Sequence, residues 1–297
     1  MKPKILLTGA SGFLGSIILE HSNPDDVLTL GRHQRSGIVS DFSKTIPTLP
    51  EVDLVIHAAG KAHSIPKTAL EKQAFFDVNV SGTVNILKGL MKNPPRSFVF
   101  ISTVAVYGVE SGTNINEDHP LSAKDPYGLS KINAEQVVID WCKQHQVICT
   151  ILRLPLLAGP QPPGNLGAMI NGIKKGYYFN IDGGRARKSV VLAKDIAAII
   201  PHVALTGGIY NLTDGKHPSF KELSVTIAKQ LHTRLPKDMP LFIAKILAGA
   251  GNLIGQRSPI NTNKLNKILA DLTFDDRKAR ETIGWRPTAV IEGLIIK

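Results

Sequence analysis

A chain of 297 residues with 43% hydrophobic content holds enough apolar material for a sizeable core, which excludes a disordered or fibrous protein. Its net charge of +11 is scattered, with no Lys/Arg cluster interleaved with aromatics, so nucleic acid is not the expected partner. Cys142 and Cys149 stand without metal-ligand spacing or a disulfide framework, and no run reaches the ~18 apolar residues of a membrane span.

The first ten residues join a basic start to a short apolar run, which predicts no signal peptide and a cytoplasmic chain. Ile5, Leu6 and Leu7 stop at Thr8-Gly9, and the spacing of Phe13, Leu14, Ile17 and Ile18 then turns helical. In this strand, turn and helix, Gly9 permits the tight turn, Gly12 lets backbone amides approach a pyrophosphate, and Gly15 lets the helix lie close on the sheet. The helix N-terminus offers unpaired N–H groups to phosphates. Gly9, Ser11, Gly12, Phe13 and Gly15 are therefore the expected opening of a dinucleotide site.

Val27 to Leu30 is the next predicted strand and runs into Gly31-Arg32. An acidic residue at this strand end accepts from the ribose 2′-OH of NAD, whereas an arginine accommodates the 2′-phosphate of NADP, so Arg32 favours NADP over NAD. Asp41-Phe42 closes a further short strand, where an Asp can accept from the adenine amino group or form a turn. VDLVIHAAG, residues 52–60, is a buried parallel strand ending in Ala58, Ala59 and Gly60, small enough for a cofactor to lie against the backbone. His57 reads as packed, and Lys61 and His63 follow in a loop with reach to a substrate. A helix runs from Thr68 through Asn79 to Leu90, SFVFIS at 97–102 is another buried strand, and 107–126 reads as irregular surface chain. A helix from Tyr127 to about His145 and a strand over 147–154 come next.

Beyond a Gly/Pro-rich loop, the pattern predicts a helix over 165–175, an extended stretch over 177–181, a helix over 194–204, a strand within 207–215, and then mainly helix. Leu241 to Gly255 has some amphipathic character suited to a membrane surface, but its shortness and single Lys favour burial. The whole predicts an α/β fold, a Rossmann-type doubly wound parallel sheet with helices on both faces. The dinucleotide part is expected over 1–160 plus about 190–215, and a small, mainly helical substrate lobe over 161–189 and 216–297.

Tyr127 and Lys131 are four apart at a helix start and share one face. A tyrosine of ordinary pKa, ~10, is a poor base at neutral pH, and a nearby ammonium favours the phenolate. Ser102 or Thr103, at a strand end, can bond the same substrate oxygen. Such a set suits proton movement on a carbinol oxygen while nicotinamide takes or gives hydride.

TGASGFLG, HAAG, VNVSGT, STVAVYG, DPYGLSK and GWRP, in this order over essentially the whole chain, resemble the extended short-chain dehydrogenase/reductases, in the nucleotide-sugar branch of the NAD-dependent epimerase/dehydratase family. The resemblance implies Thr103 as the active hydroxyl with Ser102 beside it, Tyr127 as acid/base and Lys131 on the nicotinamide ribose. It also implies Asn79 as a structural asparagine near the cofactor and Asp41-Phe42 flanking adenine. Family dehydratases place an acidic pair after the active hydroxyl, and Val104-Ala105 cannot move protons, so dehydration is not expected. Galactose-type 4-epimerases often carry Asn three positions after Arg153, where this chain has Leu156. RLPLLAGP instead resembles the epimerases and 4-ketoreductases of bacterial surface-polysaccharide synthesis.

By the same likeness Asn165 meets the sugar or diphosphate, and Arg187, less surely Arg185, takes the phosphates of a nucleotide-diphosphate sugar. A homodimer pairing the helices around 68–92 and 127–145 is implied as well. The expected activity is NAD(P)-dependent hydride transfer at hexose C4, as a 4-ketoreductase, which Arg32 favours, or a 4-epimerase, in which the family is richer. The competing class is a non-catalytic NAD(P)-sensing protein; such proteins tend to lose the Tyr or Lys, and both are present.

Overall fold

The structure, a computed structural model, describes residues 5–62, 64–255, 258 and 260–296; the loop residue His63 lies outside them. Its strands are β1 Ile5–Thr8, β2 Val27–Gly31, β3 Ile38–Val39, β4 Leu54–His57, β5 Ser97–Thr103, β6 Gly112–Ile115 and β7 Ile148–Leu154, then the short β8 Leu156–Ala158, β9 Phe179–Ile181, β10 Val190–Leu192, β11 Gly208–Asn211, β12 Lys237–Met239 and β13 Leu272–Phe274. The helices are α1 Phe13–Glu20, α2 Ala69–Phe76, α3 Gly82–Gly89, α4 Pro126–Gln144, α5 Gly164–Lys174, α6 Ala193–Thr206, α7 Phe220–Gln230, α8 Leu241–Ile254, α9 Thr262–Leu269, α10 Arg277–Ile283 and α11 Val290–Gly293.

Seven strands form one parallel sheet in the order β11-β7-β5-β4-β1-β2-β3. From β1 the chain lays β2 and β3 to one side, then returns to build β4, β5, β7 and β11 on the other. The order thus reverses between β1 and β4, the place where open α/β sheets bind ligands. The strand pleat sends Leu7, Ile56, Val99 and Leu152 to one face, where Leu14 and Ile18 of α1 and Ile196 and Ile200 of α6 cover them. It sends Leu6, Val55, Phe98 and Ile151 to the other, under Ile86 and Leu87 of α3 and Ala134 and Val138 of α4. With both faces covered, the strands carry unbroken apolar runs rather than alternation, which is why they were legible as buried parallel strands.

Outside this sheet, Leu166 and Ile170 of α5, Leu223 and Ile227 of α7 and Val290 of α11 make a separate apolar cluster with Ala158, Val190 and Leu192 of the β8 and β10 pair. This cluster is separate from the two that cover the sheet, and it draws on residues 158, 190 and 192, which the sequence pattern assigns to the dinucleotide part.

Three stretches differ from expectation. The helix from Thr68 to Leu90 is interrupted by a π-helical turn, Asp77–Ser81, which carries Asn79 to the interior at 2% exposure. Residues 107–126 are not irregular surface chain throughout. β6 pairs in parallel with β13, and Tyr107 is fully buried, its ring stacked 5.6 Å from Phe274 and its hydroxyl donating to Asn211 Oδ1 at 2.7 Å. The expected burial of Leu241–Gly255 does not hold either. α8 buries only Ala244, Ala248 and Gly251, small residues that let it approach α9, and turns its large apolar side chains outward.

Candidate active site

The cleft at the reversal point is built by close backbone approach. Gly9 has φ +73°, and a Cβ there would lie 2.6 Å from Ala59 N. Gly12 N donates to Gly9 O at 2.9 Å, and a Cβ on Gly15 would sit 2.0 Å from Gly9 O. Thr8 holds the facing strand end: its hydroxyl accepts from Ala59 N at 3.1 Å and lies 2.7 Å from His57 Nδ1. Thr83 Oγ1, 2.9 Å from His57 Nε2, itself donates to Asn79 O, so the network assigns the ring proton to Nε2. Burial, with the Lys131 charge adding to it, pulls the His57 pKa to about 3, and the ring is a packed, neutral spacer as expected.

The resulting cleft, about 190 Å³, is lined by Gly9, Ser11, Gly12, Arg32, Asp41, Phe42, Ala58, Ala59 and Gly60 among others. These nine predicted cofactor residues come together from four segments of chain. Gly15 lies behind them as helix-to-turn packing, and Phe13 turns away toward Gly159 and the core. The Ser43 hydroxyl, donating at 2.6 Å, holds the Asp41 carboxyl below the usual range, with Lys44 and Arg32 assisting. Phe42, at the cleft wall, is buried with its ring 6.2 Å from His57. A glycine cradle with no room for a Cβ at Gly9, a helix N-terminus above it and one guanidinium at its edge fit a dinucleotide.

Thr103 ends β5, and Tyr127 and Lys131 ride on the first turns of α4. Asp125 caps that helix, accepting from Tyr127 N and Gly128 N at 3.1 and 3.0 Å, with Pro126 in the first turn. Gly128 lets the helix start lie against the chain following β5, since a Cβ there would meet Ala123 Cβ at 2.5 Å and Ala105 O at 2.9 Å. The close fit sets the Tyr127 phenol near the Thr103 hydroxyl. Burial pushes the Tyr127 phenol above its ordinary pKa, the nearby Thr103 hydroxyl opposes this, and the Asp125 charge adds to the rise.

Lys131 is buried, its Nζ donating to Ile101 O at 2.7 Å and 3.9 Å from the centre of the Phe100 ring. Burial pulls its pKa to about 7, against the opposing charge of Glu135. The expected pull of an ammonium on Tyr127 is thus not what shifts the phenol in this state; burial dominates.

Ser102, the other candidate hydroxyl, does not join this group. The pleat turns it to the α4 side, where it is buried and donates to the Glu135 carboxylate. Glu135 also pairs with Arg153, whose Nη2 lies 2.8 Å away, and Arg153 Nη1 donates to Tyr107 Oη at 3.1 Å. Ser102, Glu135, Arg153 and Tyr107 form a buried polar array under the site, consistent with a structural Arg153. Sequence reasoning passed over Glu135, although Tyr127, Lys131 and Glu135 at four-residue spacing mark one helix face.

Asn79 uses its whole amide on the protein: Oδ1 accepts from Lys61 N at 2.7 Å, and Nδ2 donates to Lys61 O at 3.1 Å and Ser130 Oγ at 2.9 Å. It ties the loop after β4 to α4, next to Lys131. Asn165 sits exposed in the first turn of α5. Arg187 Nη1 donates to His217 O at 3.0 Å and lies 3.9 Å from Glu222. No hydrogen bond among the described residues joins either to Thr103, Tyr127 or Lys131. A larger cavity, about 570 Å³, lies elsewhere, lined by Asp214, Lys216, His217, Asp275, Arg277 and Arg280 among others. Two pairs of its charges are engaged, Arg280 with Asp276 at 2.8 Å and Arg277 with Asp275 at 2.6 Å, and it holds none of the predicted site residues.

Residues 5–213 match the family model described as NAD dependent epimerase/dehydratase family. The N-acetyl-alpha-D-glucosaminyl-diphospho-ditrans,octacis-undecaprenol 4-epimerase of Escherichia coli O157:H7 is 27% identical over 99% of this chain and 94% of its own. The structure of UDP-glucose 4-epimerase from Thermotoga maritima with UDP-glucose superposes at a TM-score of 0.75 and 18% identity, covering 98% of this chain and 96% of that one. RMD from Pseudomonas aeruginosa complexed with NADPH gives a TM-score of 0.68 at 20% identity, over 98% and 96%. At such identities the two structures speak for the fold.

Proposed function

The chain belongs to the NAD dependent epimerase/dehydratase family, and from that premise we propose that it inverts C4 of a hexose carried on a diphosphate, using a nicotinamide cofactor held in the glycine-walled cleft. The observation that carries this reading is the Tyr127 phenol set near the Thr103 hydroxyl, with the buried Lys131 one helical turn behind it. The E. coli relative is named for an undecaprenol-linked sugar and the Thermotoga structure holds UDP-glucose. Nucleotide and polyprenol are accordingly the two carriers proposed here.

Gly9, Ser11, Gly12 and the start of α1 would hold the pyrophosphate, Ala58 to Gly60 the backbone-facing side, and Asp41, Phe42 and Arg32 the adenosine end. Bound there, the nicotinamide supplies the chemistry of taking a hydride from C4 and giving it back. Tyr127 Oη takes the proton of the C4 hydroxyl as that carbon is oxidised and returns it when the carbon is reduced, and the Thr103 hydroxyl shares the same oxygen. Lys131, which titrates near neutrality, offers its donors to the ribose and, in its charged form, supports the phenolate. Val104 and Ala105 carry no proton-moving group, so dehydration does not accompany the step.

The sugar diphosphate falls to the lobe of residues 161–189 and 216–297, through Asn165 and the guanidinium of Arg187, against a cofactor part of 1–160 plus about 190–215. A homodimer through the helices around 68–92 and 127–145 belongs to the same reading, supported by Leu70 and Leu129 lying exposed on them. So does a cytoplasmic place, where the nicotinamide pool lies. A second reading, a 4-ketoreductase using NADPH, is favoured by Arg32 at the cleft edge. The presence of both Tyr127 and Lys131 in register argues against a sensor without catalysis.

Replacing Tyr127 by Phe tests the role. Cofactor affinity should stay within about threefold while kcat falls roughly 10²- to 10⁴-fold. Undiminished turnover would remove Tyr127 from the chemistry.

A further inference from the structure

Helix α8 is inverted relative to a helix of a protein interior. Ala244, Ala248 and Gly251, at i, i+4 and i+7, face inward toward Leu265 of α9 and the Ile260 stretch, and a Cβ on Gly251 would lie 1.9 Å from Ile260 O. The large apolar residues face out: Phe242 is 64% exposed, Ile246 68%, Leu253 92% and Ile254 64%, with Ile243 and Leu247 beside them. At 3.6 residues per turn these six fall on one continuous arc of about 140°. Burial of large apolar groups drives folding, so a helix that buries its small side and exposes its large one has a further surface to meet.

The surroundings indicate the chemistry of that surface. From Arg234 to Lys267 the sequence holds Arg234, Lys237, Lys245, Arg257, Lys264 and Lys267 against a single acidic residue, Asp238; Asp238 is paired with Lys221 at 3.1 Å, and Lys267 with Glu110 at 2.9 Å. Arg234, Lys237 and Lys245 are exposed. An apolar arc on a helix that carries the exposed Lys245 and follows the exposed Arg234 and Lys237, on a chain of net charge +11, complements anionic headgroups over an acyl layer, whereas a second copy of the same basic surface would be repelled.

We propose that α8 seats the protein on an anionic membrane surface, its outward apolar residues entering the boundary between headgroups and acyl chains and Arg234, Lys237 and Lys245 lying among the phosphates. The docking stands independently of the activity proposed above. Its consequence rests on that activity: of the two carriers, the sugar diphosphate is then the polyprenyl one, taken from the bilayer beside the lobe that holds it.

The test is co-sedimentation of the full chain with vesicles of phosphatidylglycerol and phosphatidylethanolamine, and with vesicles of phosphatidylcholine alone. The wild type is compared with an Ile246→Glu, Leu253→Glu double variant whose fold is checked by circular dichroism and melting. An Ile246→Ser, Leu253→Ser variant replaces it if the acidic one does not fold. The expected result is binding to the anionic vesicles, weakened by salt, at least tenfold weaker on phosphatidylcholine and at least tenfold weaker in the variant. No sedimentation, equal sedimentation of wild type and variant, or a wild-type dimer that the substitutions convert to monomer without any vesicle binding would each overturn the proposal. Binding is read without turnover, so its failure is separate from a failure of the epimerase reading.

Discussion

Replacing Lys131 by Met removes the amine beneath the site and keeps most of its apolar stem. In the folded chain that amine titrates near 7, against an ordinary 10.5, because burial disfavours its charge. Between those two values the unfolded chain binds a proton that the folded chain does not, so stability rises with pH across the window. The penalty of a buried ammonium is complete below about pH 7, shrinks as pH climbs and is gone above about 10.5. Lys131 is 4% exposed, so screening by solvent takes little from the effect. At ~1.4 kcal/mol per pH unit, the wild type should gain about 2–3 kcal/mol on the Met variant between pH 7.5 and 9.5. Denaturant unfolding of both proteins without cofactor, at pH steps across this range, gives the difference, and subtraction cancels the groups they share. A difference that stays flat, or that falls with pH, would refute the placement of Lys131 as a buried, largely neutral amine.

Gly128→Ala should cost ~1–3 kcal/mol, since the added Cβ overlaps Ala123 and Ala105 O, and should lower kcat at least tenfold by shifting Tyr127 off Thr103. Full activity in a stable variant would show that this contact does not set the catalytic geometry. Arg32→Ala should weaken NADPH about 10- to 100-fold, the worth of a charged hydrogen bond of ~1.5–3 kcal/mol, and leave NADH within about twofold. Equal loss of both by equilibrium titration would mean that Arg32 meets a part of the cofactor common to the two.

The glycine-lined cleft was legible because its requirements are local. A strand, a turn at positive φ and a helix that must lie against its own turn leave glycines at 9, 12 and 15 whatever the rest of the chain does. Tyr127 and Lys131 were legible because one helix carries both. Thr103 and Ser102 could not be separated by spacing alone, since the choice depends on where the pleat leaves each hydroxyl, and α4 takes Ser102 for Glu135. The burial of Tyr107 and the β6 and β13 pair depend on partners far along the chain that no local pattern reveals. Leu241–Gly255 was read for its apolar content, which says how hydrophobic a helix is but not which side the rest of the protein covers.

The most direct measurement supplies the purified protein with sugar diphosphates deuterated at C4, on a nucleotide and on a short polyprenyl carrier, and follows them by NMR with the nicotinamide absorbance recorded alongside. An epimerase predicts the C4 epimer of one of these substrates with its deuterium retained and no net change in reduced nicotinamide. Inversion on neither carrier, or product formed only as NADPH is consumed one for one from a 4-keto sugar, would contradict it.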